Sequence, residues 1–327
     1  MNKELEIWQF AARKLDRNES VMLLVVAESS GSSPGRQGFK MIVAEDDLIG
    51  SIGGGIMEVS LVQQARNALT ENRRKSEAEK TGFVKMQIHR KNSPNSSGMI
   101  CSGKQTVIFF ILTQKHFKLV RHIPRYSKNH HSRYLRITEK ELSFSATFKD
   151  HFAYRFEQQS ESEFVYEEAL RCKNKLYIVG GGHCALALSE LMSRMDFHIT
   201  LFDDRAALNT LAKNEFVHEK KIIESYENIG EFIASGADTF VVVMTLGFAF
   251  DEIVIRRLID KDFKYFGVLG SRAKMATLLK KLLKENYPKE KLNQIRTPIG
   301  LPINSRTPEE IAVSIAAEII RVKNKIA

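Results

Sequence analysis

Two glycine clusters carry most of the chemistry this sequence can offer. Gly53, Gly54 and Gly55 stand before one helical pattern, and Gly180, Gly181 and Gly182 stand between an apolar strand pattern and another helix. Backbone N–H groups at such turns can form a nest for an anion, and a helix that starts there adds the positive end of its dipole. Near the first cluster runs Ser29-Ser30-Gly31-Ser32-Ser33-Pro34-Gly35-Arg36, which supplies hydroxyls and one guanidinium suited to phosphate or another oxyanion. Ser33 and Arg36 are the candidate ligands in that segment. Glu58 falls in the first turn of the following helix, where an acid also compensates the dipole. The same triple glycine would equally serve a sharp strand-to-helix turn with no ligand at all.

Cys101 lies in the turn Met-Ile-Cys-Ser-Gly-Lys, where Lys104 would favour a thiolate, the form that attacks or binds metal. A buried structural thiol is the alternative. The second glycine cluster is more specific. Leu176-Tyr-Ile-Val179 precedes it, an apolar helical pattern follows, and a second strand ends in Asp203-Asp204-Arg205. Gly180, Gly182 and Ala185 fit G-x-G-x-x-A, in which the first glycine turns the chain and the second admits a pyrophosphate. His183 opens the helix, and Asp203 or Asp204 stands where an acid can bond a ribose hydroxyl. Arg272, at another expected strand end, is a further candidate for a phosphate or an acid.

These residues need elements to position them. The chain of 327 residues suggests two domains. From about residue 172 onward, apolar strands alternate with helices of ten or more residues, which predicts a Rossmann-like, doubly wound parallel sheet over 172–327. Its last helix begins with a capping box and proline, Thr307-Pro308-Glu309-Glu310. Residues 1–114 read as a smaller N-terminal α/β domain, with Ser29–Arg36 as a long loop. Residues 115–171 read as a basic connector with small β elements.

The net charge of +10 invites a nucleic-acid reading, and the connector, with His116, His122, His130 and His131 and Phe117, Tyr126 and Tyr134 among Lys and Arg, is its best candidate. It matches no named binding module, and a docking surface for an acidic protein serves equally well, so nucleic acid is disfavoured as partner. No metal-ligand spacing appears among those histidines. Three cysteines without a C-x-x-C pair fit a reducing compartment. No apolar run is long enough to cross a bilayer. The expectation is a cytoplasmic protein without a membrane partner, and a homodimer that covers leftover apolar surface.

Several segments together resemble the XdhC/CoxI family of accessory proteins for molybdenum hydroxylases. They are Ser32-Ser33-Pro34-Gly35, Gly50–Gly55 with Glu58, Gly98–Gly103 around Cys101, Val179–His183, Asp203-Asp204-Arg205, Gly267–Arg272, Pro298–Leu301 and Arg306–Ile311. The resemblance implies a chaperone, not an enzyme, that binds and protects the molybdenum cofactor (molybdopterin). It further implies a part in the cofactor's sulfuration, with a cysteine desulfurase or cofactor synthesis enzyme as a partner, and delivery to a xanthine dehydrogenase-like client. A nucleotide in the Rossmann domain is compatible with it. Cys101 would then contact sulfur or molybdenum. The sequence departs from the family pattern at Ile56, where many members have cysteine, and at Leu246 and Phe248, where histidines are frequent. Ser102 replaces a usual glycine. An NAD(P)-dependent oxidoreductase is the alternative, although the loop after the Thr239–Thr245 strand supplies no evident base.

Overall fold

The run Val21–Ala27 reads as unbroken apolar sequence because both faces of its strand are covered. A computed structural model describes residues 3–74, 82–88, 103–126, 133–145, 153–160, 163–170, 174–195 and 197–324. The chain divides into two compact units, Lys3–Arg171 and Cys172–Ala327.

The first unit contains α1 (Lys3–Asp16), β1 (Val21–Gly31), β2 (Lys40–Val43), β3 (Leu48–Gly50), α2 (Gly55–Arg74), β4 (Gly82–Ile88), β5 (Gly103–Leu112) and α3 (Phe117–Tyr126). Four strands follow: β6 (Arg133–Thr138), β7 (Leu142–Ser145), β8 (Tyr154–Ser160) and β9 (Glu163–Leu170). An antiparallel sheet runs β3-β2-β1-β5-β4. Successive side chains of a strand point to opposite faces. Met22, Leu24 and Val26 accordingly meet Met57, Leu61 and Ala65 of α2. Leu23, Val25 and Ala27 face Trp8, Ala11 and Leu15 of α1.

Two expectations are corrected here. The Ser29–Arg36 segment is not all loop. After a bulge between Val26 and Glu28, β1 continues to Gly31, with Ser29, Ser30 and Gly31 paired to Gln105, Lys104 and Gly103. The segment 115–171 is not a separate connector. Its strands form a second antiparallel sheet, β7-β6-β9-β8, and Leu135, Ile137, Phe164 and Tyr166 join the α1-side core. With them the first unit is no smaller than the second. His116 and Tyr134 are buried and Phe117 packs on that same core, so these rings are not displayed for stacking on bases. His130, His131 and the Tyr126 side chain lie outside the described residues.

The second unit contains β10 (Lys175–Val179), α4 (His183–Ser193), β11 (His198–Asp203), α5 (Asn209–Lys213), β12 (Glu219–Ile222), α6 (Ile229–Phe232), β13 (Gly236–Val243) and α7 (Phe248–Leu258). It closes with β14 (Phe263–Val268), α8 (Arg272–Lys284), α9 (Lys289–Leu292), β15 (Ile295–Arg296) and α10 (Pro308–Lys323). All six strands are parallel, in the order β12-β11-β10-β13-β14-β15. Helices α4 and α10 cover one face, and α6, α7 and α8 the other. The order reverses between β10 and β13, which sets a ligand crevice at the carboxyl ends of those two strands. The α10 cap forms as expected, with Thr307 accepting from the Glu310 N–H and the Glu310 carboxylate accepting from the Thr307 N–H. Among the described residues no helix is long and apolar enough to cross a membrane.

Candidate functional site

In the first unit, three segments far apart in sequence meet at one corner of the sheet. The Ser33 hydroxyl donates to Gln105 Oε1 at 2.8 Å, and Gln105 Nε2 donates to the Ile52 carbonyl at 2.8 Å. Both side chains are buried. This chain of bonds ties the end of β1, the start of β5 and the glycine turn together. The fit leaves no room for side chains. A Cβ on Gly35 would lie 2.1 Å from the Ile52 carbonyl oxygen, and one on Gly103 would lie 2.5 Å from the Ser33 nitrogen. Gly53, Gly54 and Gly55 all have positive φ, which glycine adopts without penalty.

The nest expected at this turn forms, and the protein's own carboxylate fills it. Glu58 Oε2 accepts from the Ser51 hydroxyl at 2.7 Å, the Ile52 N–H at 2.8 Å and the Gly54 N–H at 2.9 Å. Glu58 therefore acts here as the anion of the turn. Ser33 is likewise corrected from a ligand hydroxyl to a structural one, since its proton goes to Gln105. Arg36 is exposed, and its bond to the Gly31 carbonyl is a long 3.5 Å, so its guanidinium is open to an anion. Ile56 and Val59, in the first turn of α2, are 69% and 71% exposed beside the glycines. Cys101, two residues before Gly103, lies outside the described residues.

A hollow of about 500 Å³ borders the turn through Gly50 and Ser51, with Phe39, Ile49 and Ile7 as its apolar wall. Lys40 lines it but is not free. Its ammonium bonds Glu4 at 2.9 Å, Glu168 at 2.8 Å and the Gly38 carbonyl at 3.1 Å. Burial alone would lower its pKa, yet Glu168 and Glu4 outweigh burial and the pKa is raised. Lys40 thus stays charged and ties α1 and β9 to β2.

In the second unit the glycine turn is built as its pattern predicts. Gly180 has φ +106, and a Cβ there would lie 2.3 Å from the Met244 carbonyl oxygen, because the loops after β10 and β13 touch. Gly182 has nothing within 4 Å of its Cβ direction, so the crevice is open at that point. Gly182 also caps α4 without a side-chain bond, and His183 is exposed at the first position of the helix. Cys184 follows, and burial pushes its thiol pKa up, which holds the neutral form.

Asp203 is corrected as a ribose ligand. It is fully buried, and its oxygens accept from the Gly181 N–H at 2.6 Å, the Arg205 N–H and Nε at 2.9 Å each, and Arg205 Nη2 at 2.8 Å. Burial would raise its pKa, but these bonds outweigh it and the pKa is lowered. Asp203 locks the glycine turn to the end of β11. Asp204 is part exposed, accepts from the Tyr226 hydroxyl at 3.3 Å, and is the acid left facing outward. The two strand ends that in sequence offered Asp251 and Ser271-Arg272 border one cavity of about 210 Å³ at the ends of β13 and β14, lined by Thr245, Leu246, Asp251, Ser271 and Lys274. Asp251 accepts from the Thr245 hydroxyl at 2.6 Å, and burial raises its pKa. Arg272 is exposed at the first position of α8, beside this cavity. The signal in the sequence was Asp251, in the first turn of a helix that follows the apolar run Phe240–Met244.

Residues 176–319 match the XdhC Rossmann domain, and residues 15–79 match the XdhC and CoxI family. The chain belongs to the XdhC/CoxI family. It is 22% identical over 98% of its length to the uncharacterized protein YqeB of Escherichia coli. It is 29% identical over 50% of its length to a Bacillus subtilis protein named as a probable subunit of xanthine dehydrogenase. The chain spans about half the length of these curated relatives, 47% of each. A crystal structure of a Bacillus halodurans protein described as a xanthine dehydrogenase has the same fold. Its TM-score is 0.75 at 20% identity, over 99% of this chain and 97% of the other. For an XdhC/CoxI protein, the departure at Ile56 matters in a new way: the position is exposed at the corner where the first unit's glycines converge, and it presents an apolar side chain there. Leu246, at the second unit's crevice, is also exposed, at 72%. Among the described residues no group of three or more His, Cys, Asp or Glu is placed to hold a metal ion.

Proposed function

We propose that this protein is a carrier that binds the molybdenum cofactor, protects it, supports its sulfuration and delivers it to a xanthine dehydrogenase-like hydroxylase. The observation that carries the reading is the corner of the first unit. The Ser33–Gln105–Ile52 bonds bring the glycine turn, the exposed Arg36 and the start of β5 together, and β5 begins two residues after Cys101. Arg36 would attract the cofactor's phosphate, and Cys101 would meet molybdenum or the incoming sulfur. The cofactor is cargo here and must leave, so noncovalent contacts suit it better than a closed metal site. The Bacillus subtilis relative, named for xanthine dehydrogenase, supports the identity of the client. The open point at Gly182, with Asp204 and Arg272, would accept a nucleotide part if the cargo carries one.

The test is direct. Incubation with cofactor-replete cell extract and repurification should leave molybdenum and pterin on the protein in near-equal amounts. Cys101→Ser should keep the fold but lower activation of the client hydroxylase. Repurified protein free of both molybdenum and pterin would sink the proposal. Turnover of nicotinamide with a small alcohol would favour the oxidoreductase instead.

A further inference from the structure

A second polar hollow lies at the edge of the six-stranded sheet, away from the glycine turn. It holds about 500 Å³ and is lined by the start of β14, by β15 and by one side chain of α10. Its origin is the shortness of β15. That strand pairs with β14 only at Phe266 and Gly267, so the ladder stops before Lys264. Val268 accepts from Ile299 on the β15 side, whereas Leu269 donates to Val243 on the β13 side. Backbone groups alternate sides along a strand, which turns the N–H and C=O of Lys264 toward the open edge.

The lining is cationic. Lys261, Lys264, Lys291 and Arg296 face one carboxylate, Glu318. Glu318 is already engaged, accepting from the Tyr265 hydroxyl at 2.8 Å and the Gly300 N–H at 2.9 Å, with Arg296 at 3.5 Å and Arg321 at 3.4 Å. Lys261 spends its bonds on the neutral carbonyls of Gly230 and Ile233, so its charge is not cancelled. Lys291 is paired with the exposed Asp262. Lys264 is exposed and no carboxylate among the described residues pairs with it. Arg296 stands over the Tyr265 ring at 5.8 Å, which fixes its guanidinium in place. Four cations around one carboxylate that is already engaged leave net positive charge in a concave hollow, which attracts an anionic ligand.

We propose that this edge hollow is a binding site for a small polyanion, a molecule with a diphosphate or several carboxylates. The hollow is concave and of small-molecule size, and a single open residue of strand edge is too short to add a peptide strand. The site is independent of the carrier reading, since it shares no residue with the first unit or with the crevice at Gly182.

Inorganic pyrophosphate is the probe, titrated calorimetrically into the full chain. Arg296→Gln and Lys264→Gln should each weaken binding about tenfold or more, the loss expected for one charge-assisted contact. Lys264 is exposed at the stretch of β14 that β15 leaves unpaired, so its variant will fold. Lys213→Gln, exposed on α5 and outside the hollow, should leave the affinity unchanged. Binding that survives both cation variants, or that falls as far with Lys213→Gln, overturns the proposal. So does a single-stranded oligonucleotide that outcompetes pyrophosphate, since it would make the hollow part of a nucleic-acid surface. Citrate and pyrophosphate compared on the same variants separate a carboxylate ligand from a phosphate one.

Discussion

The Glu58 carboxylate accepts the Gly54 N–H at 2.9 Å, and the same oxygen takes the Ile52 N–H and the Ser51 hydroxyl. The family's glycine turn thus carries an internal anion, four residues into the helix that the turn starts. Glu58→Ala should remove three charge-assisted bonds and cost about 1–2 kcal/mol, since the site is part exposed. Phosphate should restore part of that loss in the variant and do less in the native protein, because only the variant has a vacant nest. Thermal unfolding with and without phosphate reads both effects, and equal phosphate stabilisation of the two proteins would refute the internal anion.

Gly180 and Gly182 should respond oppositely to alanine. At Gly180 the methyl group meets the Met244 carbonyl oxygen at 2.3 Å with φ at +106, so Gly180→Ala should cost about 2–4 kcal/mol. Gly182 has φ −71 and open space, so Gly182→Ala should stay within about 0.5 kcal/mol of the native protein. Chemical denaturation of the two variants measures the difference, which should appear without any ligand.

Ser33→Ala should leave Gln105 Oε1 buried without its donor. The expected cost is about 1–3 kcal/mol, the penalty of an unsatisfied buried acceptor. Ser33→Ala with Gln105→Leu should cost less than the sum of the two single changes, because both remove the same bond. A double-mutant cycle on denaturation midpoints tests this, and strict additivity would show that the bond does not couple the two segments.

His116 links stability to mildly acidic pH. Burial, with Lys115 nearby, lowers its pKa to about 4, and its Nδ1 accepts the Thr113 N–H at 3.0 Å. The unfolded chain, with a normal histidine, binds the proton first as pH falls. Its contribution is therefore complete above about pH 6.5 and lost progressively toward pH 4. The loss should reach about 2 kcal/mol, after allowance for partial solvent access. Unfolding free energies of the native protein and His116→Gln, compared from pH 7 to 4.5, should show a shallower slope for the variant.

The parts of this protein legible in its sequence are those fixed within a few residues. The Thr307 capping box, the positive φ that reserves Gly180 for glycine, and the alternation of strand and helix after residue 172 all act over short spans, and each appears as expected. Asp203 and Asp204 were indistinguishable in sequence. Only the position at which β11 ends turns Asp203 inward to the Gly181 N–H and leaves Asp204 outside. The Ser33–Gln105 bond spans 72 residues, and the extension of β1 to Gly31 depends on a partner strand equally remote. Strands β6 to β9 looked like a charged connector because β8 and the ends of the others alternate loosely. Their buried positions make sense only once α1 and the first sheet supply a face to cover. Local conformation is a property of neighbouring residues. Burial and pairing are properties of whatever the fold brings alongside, and the side chains that hold this protein's candidate site together are governed by the second.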